Sequence, residues 1–139
     1  MVDPRRAFNP RLTWGSQGEL VTFWQEKTRS TPFSSAAPLY WAARAPGSAF
    51  GPRQTITAAE VTDPELAPTG DGRALVVWTA TRFGAALYRS GHGFVVASAP
   101  PGRPARIATR SLAAAGDFAV LAWQATDRRL VASVRRLPA

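Results

Sequence analysis

The stretch GRALVVW, Gly72–Trp78, decides the fold class of this 139-residue chain. Five apolar residues in succession, without the alternation of a half-exposed strand, are typical of a strand that is buried on both faces. AVLAW, Ala119–Trp123, has the same character. A single open sheet leaves one face of such strands in water, whereas sheets stacked face to face cover both. We therefore expect an all-β protein made of stacked sheets.

The residue pattern around this stretch is repeated in the chain. Pro64–Trp78 and Pro10–Trp24 share Pro, Leu, Gly and Trp at the same offsets, whereas their charged residues differ, as in Arg73 against Glu19. A looser third copy ends at Trp123, so the Trp spacings are 54 and 45 residues. Such self-similarity indicates a repeat architecture. We expect one repeat domain over residues 1–139, with units at approximately 8–57, 62–99 and 103–136.

Each unit is predicted to consist of short antiparallel strands, because β-formers fill the apolar runs and Gly, Pro, Asp and Ser separate them. In order, the strands are PRLTW, GELVTFWQ, LYWAARA and RQTIT; PELAP, GRALVVWTA, GAALYRS and GFVVASA; ARIATRSLA, DFAVLAWQA and RLVASVRR. A short helical turn in RSLAAAGDF is the alternative there. RRAFNP is a candidate for the last strand that the third unit lacks. In TGDGR, we expect Asp71 and Gly72 to supply the positive φ angles of a hairpin turn.

A period of about 45–55 residues, with four short strands and a Trp that ends an inner strand, resembles one blade of a β-propeller. The pattern P-x-L-x5-G-x5-W, followed by L-x4-R and G-x-x-F, is similar to the loosely repeated blades of actinobacterial proteins in the sialidase-like (BNR-repeat) propeller group. The resemblance covers roughly residues 8–136 and implies two to three blades of a partial or divergent propeller. The Asp-box of that group is not matched, and its arginine triad, its tyrosine nucleophile with a carboxylate, and its acid/base aspartate are not assigned here.

Three arginines end corresponding apolar runs: Arg44, Arg89 and Arg135. If the units are related by rotation, their guanidiniums occupy equivalent places, and a row of arginines suits anionic sugars or phosphate. The structural alternative is that each arginine covers a neighbouring aromatic ring or a strand edge. We take these three as the candidate ligand-binding residues.

Catalytic and metal-binding chemistry finds little support. The chain has no cysteine, which excludes disulfides, thiolate catalysis and Cys-based metal sites. His92 is the one histidine and lies between glycines, so we expect a solvated turn residue. The acids of EVTDPE, Glu60, Asp63 and Glu65, would suit a glycosidase or calcium, but Asp63 before a proline is more simply a turn former in the linker between units. We predict no catalytic residue, metal site or cofactor.

The chain has five tryptophans and a net charge of +8. Trp24, Trp78 and Trp123 recur with the units and are predicted core residues, whereas Trp14 and Trp41 do not recur and are freer to be exposed. Sixteen of the 17 basic residues are arginine, but the sequence lacks a nucleic-acid reader motif with exposed aromatics, which argues against a nucleic-acid partner. No targeting segment is visible, and no apolar run approaches the ~18 residues of a membrane span.

These observations favour a non-catalytic β-propeller-like binding or interaction module whose ligand is an unidentified protein or carbohydrate. The alternative is a fragment of a sialidase-like glycoside hydrolase whose active site needs further blades. Propellers have four to eight blades, so we also expect exposed blade faces to promote self-association. As written the chain is expected in the cytoplasm, and it would be secreted if it is part of a longer exported protein.

Overall fold

The structure is a computed structural model and describes residues 6–28, 35–99, 101 and 110–139. These residues form ten strands and no helix, and therefore no helix long and apolar enough to cross a membrane. The all-β prediction is confirmed. The strands are β1 (Ala7–Trp14), β2 (Leu20–Glu26), β3 (Ala37–Arg44), β4 (Gln54–Pro68), β5 (Ala74–Thr79), β6 (Phe83–Arg89), β7 (Gly93–Ala97), β8 (Arg110–Ala115), β9 (Phe118–Gln124) and β10 (Leu130–Arg136).

All strand pairs are antiparallel and join neighbours in the sequence. β4 is shared: residues 54–61 pair with β3, and residues 62–68 pair with β5. We call β1, β2, β3 and residues 54–61 the first sheet, and residues 62–68 with β5, β6 and β7 the second sheet. The third sheet is β8, β9 and β10, with β10 at its edge. Residues 7–10 of RRAFNP belong to β1, which pairs with β2, so this segment does not extend the third sheet.

The second sheet lies between the other two and buries both of its faces. From β5, Ala74, Val76 and Trp78 pack with residues of the first sheet, whereas Leu75 and Val77 pack with residues of the third. Burying one such side chain stabilises a fold by about 1.5–3 kcal/mol. The prediction that this apolar run is covered on both sides by stacked sheets is confirmed. The same prediction for Ala119–Trp123 was wrong, because Val120 on the other face of β9 is 38% exposed and no described sheet covers that face. The partners in the first sheet include Val21, Phe23, Leu39 and Trp41. On the other side, the partners are Ala119, Leu121 and Trp123 of the third sheet and Leu137, which follows β10.

The three recurring tryptophans are buried, as predicted. Trp14 is 64% exposed, but Trp41 is only 8% exposed, so the expectation of an exposed Trp41 was wrong. Its ring makes edge contacts with Tyr88 and Phe94, at centroid distances of 5.8 and 5.6 Å. A Cβ on Gly93 would come within 2.5 Å of the Trp41 ring, so glycine is what lets the β6–β7 hairpin close over it.

Two positions with positive φ break the regular pairing of the strands before a proline. Asn9 has a φ of 52° and Asp63 a φ of 48°, and the register of β1 and of β4 shifts at these points. Asn and Asp tolerate this left-handed conformation better than other non-glycine residues. EVTDPE is therefore a bulge inside β4 rather than a linker turn between two strands.

The β4–β5 turn and the start of the third sheet also differ from expectation. The positive φ angles of TGDGR belong to Gly70 (86°) and Gly72 (84°), not to Asp71 and Gly72. Asp71 instead accepts hydrogen bonds from the Thr69 hydroxyl and the Arg73 side chain. RSLAAAGDF holds strand β8 followed by a turn at Gly116, so its helical alternative was wrong. The first residues of predicted strand ARIATRSLA lie outside the described residues.

Candidate binding clefts between the sheets

The three candidate arginines do not occupy equivalent places. Arg44 is paired with the residue four before Trp24, and Arg135 with the residue four before Trp123. The corresponding residue of the second sheet is Tyr88, so Arg89 lies one position further along its strand. Because side chains alternate between the two faces of a strand, a shift of one residue places Arg89 on the opposite face. The predicted row of equivalent guanidiniums was therefore wrong.

The structure brings two of the three arginines to one cleft. Arg89 donates a hydrogen bond from Nη2 to the Pro138 carbonyl at 3.0 Å, across the junction of the second and third sheets. Arg135 and Pro138 both line a cavity of about 590 Å³ between the same two sheets. Arg44 lies apart, exposed on the outer side of the first sheet, with its guanidinium 5.6 Å from the Phe50 ring. Arg44 thus fits the structural alternative of an arginine that covers an aromatic ring.

A fourth arginine, Arg73, binds at this cleft and was not among the candidates. Its Nη1 donates to the Pro138 carbonyl at 2.9 Å, and its Nη2 donates to Asp117 Oδ1 at 2.7 Å and to the Gly116 carbonyl at 3.1 Å. Nε and Nη2 also reach Asp71 Oδ2, at 2.9 and 2.6 Å. The sequence feature that could have indicated Arg73 is its position five residues before Trp78, where the first two copies of the repeated pattern carry opposite charges.

Charge at this cleft is only partly balanced. Hydrogen bonds from Arg73 and Thr69 hold the pKa of the Asp71 carboxyl well below its usual range, so Asp71 remains an anion in neutral solution. Asp117 pairs with Arg73 at 2.7 Å and lies 3.9 Å from Arg136. Against these two carboxylates stand Arg73, Arg89, Arg135 and Arg136. The cleft therefore carries an excess of guanidinium donors.

The junction of the first and second sheets is built around a buried carboxylate. Tyr88 donates its hydroxyl hydrogen bond to Glu19 Oε1 at 2.7 Å, and the Ser90 hydroxyl donates to the same oxygen. The Gln17 amide donates to Glu19 Oε2 at 3.0 Å. Burial raises the pKa of Glu19, but the bonds from Ser90, Tyr88 and Gln17 outweigh burial and leave that pKa below its ordinary value. This network stabilises the ionised carboxylate and joins the two sheets.

A smaller cavity of about 370 Å³ opens beside this network. Trp41, Gln54 and His92 are among its lining residues. His92 is exposed in the β6–β7 turn, with Nδ1 3.2 Å from the Ser90 carbonyl oxygen. This placement confirms His92 as a solvated turn residue.

EVTDPE contributes to a buried ion pair. Arg110 of β8 is buried, donates to the Thr79 hydroxyl, and has Nε 3.7 Å from Glu65 Oε2. Burial lowers the pKa of Arg110, and the negative charges of Glu65 and Asp63 offset part of that change. The Glu65 carboxylate thus offsets part of the charge of a buried guanidinium, which supports a structural role for Glu65. Within 6–28, 35–99 and 110–139, no three His, Asp or Glu side chains cluster as a metal site would require.

Comparison with known proteins gives a likeness in fold. No protein-family profile and no curated protein matches the chain. Among solved structures, the chain is similar to a crystal structure of AofleA from Arthrobotrys oligospora, in a mutant with three arginines replaced by alanine. The TM-score is 0.57 at 14% sequence identity, over 100% of this chain and 44% of that one. The chain thus spans less than half the length of this neighbour, and the likeness is one of fold alone.

Proposed function

We propose that the protein is a non-catalytic binding module of the β-propeller type, with its three sheets as successive blades related to the sialidase-like group. Two features support this assignment: the stacking of antiparallel sheets, and a buried Trp on the second strand of the first two sheets and on the middle strand of the third. The ligand site is the cleft between the second and third sheets.

The observation that carries the ligand assignment is the convergence of two guanidiniums on one oxygen. Arg73 and Arg89 both donate to the Pro138 carbonyl, at 2.9 and 3.0 Å, and Arg135 lines the adjoining cavity. Arginine forks bind carboxylate, sulfate and phosphate through charge-assisted hydrogen bonds, which are about twice as strong as neutral ones. An anionic oxygen of a ligand would compete well with the neutral carbonyl of Pro138. The ligand class proposed is an acidic carbohydrate, whose carboxylate or sulfate group would supply such an anionic oxygen.

Calorimetric titration of the whole chain tests this proposal. The probes are glucuronate, N-acetylneuraminate and galactose 6-sulfate, with galactose and N-acetylglucosamine as neutral controls. Arg89→Gln and Arg135→Gln remove one donor each from the cleft. Arg129→Gln makes the same charge change at the distant β9–β10 turn, where Arg129 is paired with Asp127.

We expect acidic sugars to bind and neutral sugars to bind at least tenfold more weakly. One charged hydrogen bond is worth about 1.5–3 kcal/mol, so Arg89→Gln should weaken binding at least tenfold while Arg129→Gln leaves it unchanged. Equal binding of acidic and neutral sugars, equal losses in both variants, or no binding of any acidic probe would contradict the proposal.

A second candidate is a glycosidase fragment, and the Tyr88–Glu19 pair favours it, since the sialidase-like resemblance implies a tyrosine with a carboxylate partner. Two facts weigh against a nucleophilic Tyr88. It is only 3% exposed, and burial with the Glu19 carboxylate raises the pKa of its phenol well above the ordinary value. We expect no turnover of aryl sialosides or other aryl glycosides. Turnover that Tyr88→Phe abolishes without unfolding the protein would establish the enzyme instead.

A further inference from the structure

We propose that the outer faces of the first and third sheets bind each other between two copies of this chain. Each sheet has two faces. The Trp face carries the recurring tryptophan, the residues two and four before it on the same strand, and the residues paired with these on adjacent strands. The far face is the opposite side of the sheet and carries the residues one, three and five before the tryptophan, with the residues paired to them. Ala74, Val76 and Trp78 form this part of the Trp face of the second sheet, and Leu75 and Val77 lie on its far face.

The same pair of faces meets twice inside the chain. Val21 and Phe23, on the far face of the first sheet, pack with the Trp face of the second sheet. Likewise, the far face of the second sheet packs with Ala119, Leu121 and Trp123, the Trp face of the third. In the described part of the chain, two faces have no sheet in front of them: the Trp face of the first sheet and the far face of the third. At both internal junctions, the far face of one sheet packs on the Trp face of another. By the same rule, the far face of the third sheet of one copy fits the Trp face of the first sheet of a second copy.

Apolar exposure is concentrated on these two unmatched faces. Nine large hydrophobic residues are exposed among the described residues, and seven of them lie there. Strand register places Leu12 and Trp14 on the side of Thr22 and Leu20, and Phe50 lines a cavity with Thr22 and Trp24. Register likewise places Leu130 and Val134 on the side of Gln124 and Val120. The remaining far-face residues of this group are Phe118 and Val120.

The unmatched Trp face of the first sheet also contains a cavity that could accommodate side chains of a partner. Its cavity of about 720 Å³ is lined by Trp24, Phe50 and Arg53, among others. Trp24 Nε1 is buried without a hydrogen-bond partner. The Arg53–Glu26 ion pair, at 2.7 Å, stands at the edge of this apolar area. An apolar centre with a polar rim is the usual anatomy of a protein–protein interface.

The residue five positions before each recurring Trp indicates which side chains would meet between the two copies. Glu19 and Arg73, each five residues before its Trp, both reach across to the next sheet. Phe118 has that position in the third sheet and is exposed. Glu19 reaches Tyr88, and the register equivalent of Tyr88 in the first sheet is Arg44. Phe118 is therefore expected to pack on Arg44 and the neighbouring Phe50, an aromatic and cationic surface suited to a phenyl ring.

A head-to-tail contact closes into a ring if the rotation allows, and two copies supply six sheets. Six lies within the four to eight blades of propellers. A second copy of this chain therefore occupies both faces in a closed pair.

Light scattering coupled to size-exclusion chromatography, from micromolar to millimolar concentration, tests the pair. The expected mass is twice the 14.9 kDa of one chain. Phe50→Asp damages the first face at a side chain that is 46% exposed, and Val134→Asp damages the third-sheet face at one that is 64% exposed. Both are therefore expected to fold, which circular dichroism checks, and to elute as monomers. Val96→Asp, at a 78% exposed site outside both faces, should remain a pair.

Mixing the two damaged variants distinguishes a head-to-tail pair from a symmetric contact of one face with itself. A Phe50→Asp copy keeps its third-sheet face, and a Val134→Asp copy keeps its first-sheet face, so the mixture should regain one interface and dimerise. Failure of the mixture to dimerise would overturn the proposal. A monomeric parent chain at every concentration, as expected if further sheets of a longer chain cover these faces, would overturn it too, as would mass beyond two copies. Sugar binding at the cleft between the second and third sheets is a separate readout, so either proposal can fail alone.

Discussion

The two junctions between sheets use the same backbone positions with opposite chemistry. At the first junction, Glu19 accepts hydrogen bonds from Tyr88 and Ser90 of the second sheet. At the second junction, the corresponding Arg73 donates to Asp117 and to backbone carbonyls of the third sheet. Each charge is matched by its own neighbour and would be mismatched at the other junction. Such pairing selects the order in which sheets stack, since a wrong pairing would leave a buried charge without a partner.

The junctions also differ in the number of aromatic side chains that they bury. The first core, between the first and second sheets, contains or contacts five aromatic side chains, those of Phe23, Trp41, Trp78, Tyr88 and Phe94. Trp41 makes edge contacts with Tyr88 and Phe94. The second core holds one aromatic pair, Phe83 and Trp123, at 5.2 Å, beside a cavity of about 590 Å³. The first junction is therefore expected to contribute more to stability.

The largest test of this difference is Trp78→Ala. Trp78 is in the first core, and truncation of a buried aromatic residue costs about 3–5 kcal/mol of unfolding free energy. Urea denaturation followed by circular dichroism gives that value. Val96→Ala, at a 78% exposed side chain outside the two unmatched faces, is the control and should stay within about 0.5 kcal/mol. A Trp78→Ala midpoint close to that of the parent would refute the assignment of Trp78 to the core.

Gly84→Ala tests the closeness of packing at the same place. A Cβ at Gly84 would lie 2.1 Å from Trp78 Nε1, so the ring has to move, and overpacking costs about 1–3 kcal/mol. Gly51→Ala is the control, because its nearest neighbour would be the Ala43 carbonyl oxygen at an ordinary 3.4 Å. Thermal unfolding should separate the two variants. Equal melting temperatures would mean that the first junction is looser than described.

Arg73→Ala tests the polar side of the second junction. The change removes charged hydrogen bonds to Asp71 and Asp117, and we expect a loss of about 1.5–3 kcal/mol in urea denaturation. Arg129→Ala removes a guanidinium from an exposed pair with Asp127, and solvent screening leaves such pairs little effect on stability. A loss no larger than that of the control would show that Arg73 does not join the sheets.

The smallest expected effect is on the pH dependence of stability, through Glu19 at the first junction. The pKa of Glu19 lies below its ordinary value of 4.5. A carboxylate whose pKa is lower in the folded chain stabilises the fold above its unfolded pKa, and this stabilisation disappears as pH falls through the folded pKa. Glu19→Gln should therefore show a weaker loss of stability than the parent when the pH is lowered below about 4.5. Identical acid profiles from guanidinium denaturation would contradict this role for Glu19.

Much of the fold could be predicted from the chain because local patterns determine it. The run from Ala74 to Trp78 is apolar at every position, and the structure buries that run on both faces. Trp24 and Trp123 lie in similar runs and are also buried. By contrast, the burial of Trp41 depends on Gly93 and Phe94 in another strand pair, and no local pattern around Trp41 reports that contact.

The candidate site was predictable only in part. Counting residues from Trp to Arg made Arg44, Arg89 and Arg135 look alike, but loop lengths differ, and a shift of one residue moves a side chain to the other face. Arg73 was visible as a charge that differs from Glu19, yet its partners, Asp117 and Pro138, come from the third sheet.

The sequence by itself determined the secondary structure, the stacking of sheets and the identity of the recurring core tryptophans, since the alternation or run of apolar residues governs which faces avoid water. Only the tertiary structure decided which arginines share a cleft, which carboxylates are buried with partners, and which two apolar faces remain uncovered. Those outcomes depend on strand register and on contacts between residues as far apart as Glu19 and Tyr88, and such distances in space are not encoded in any single stretch of the chain.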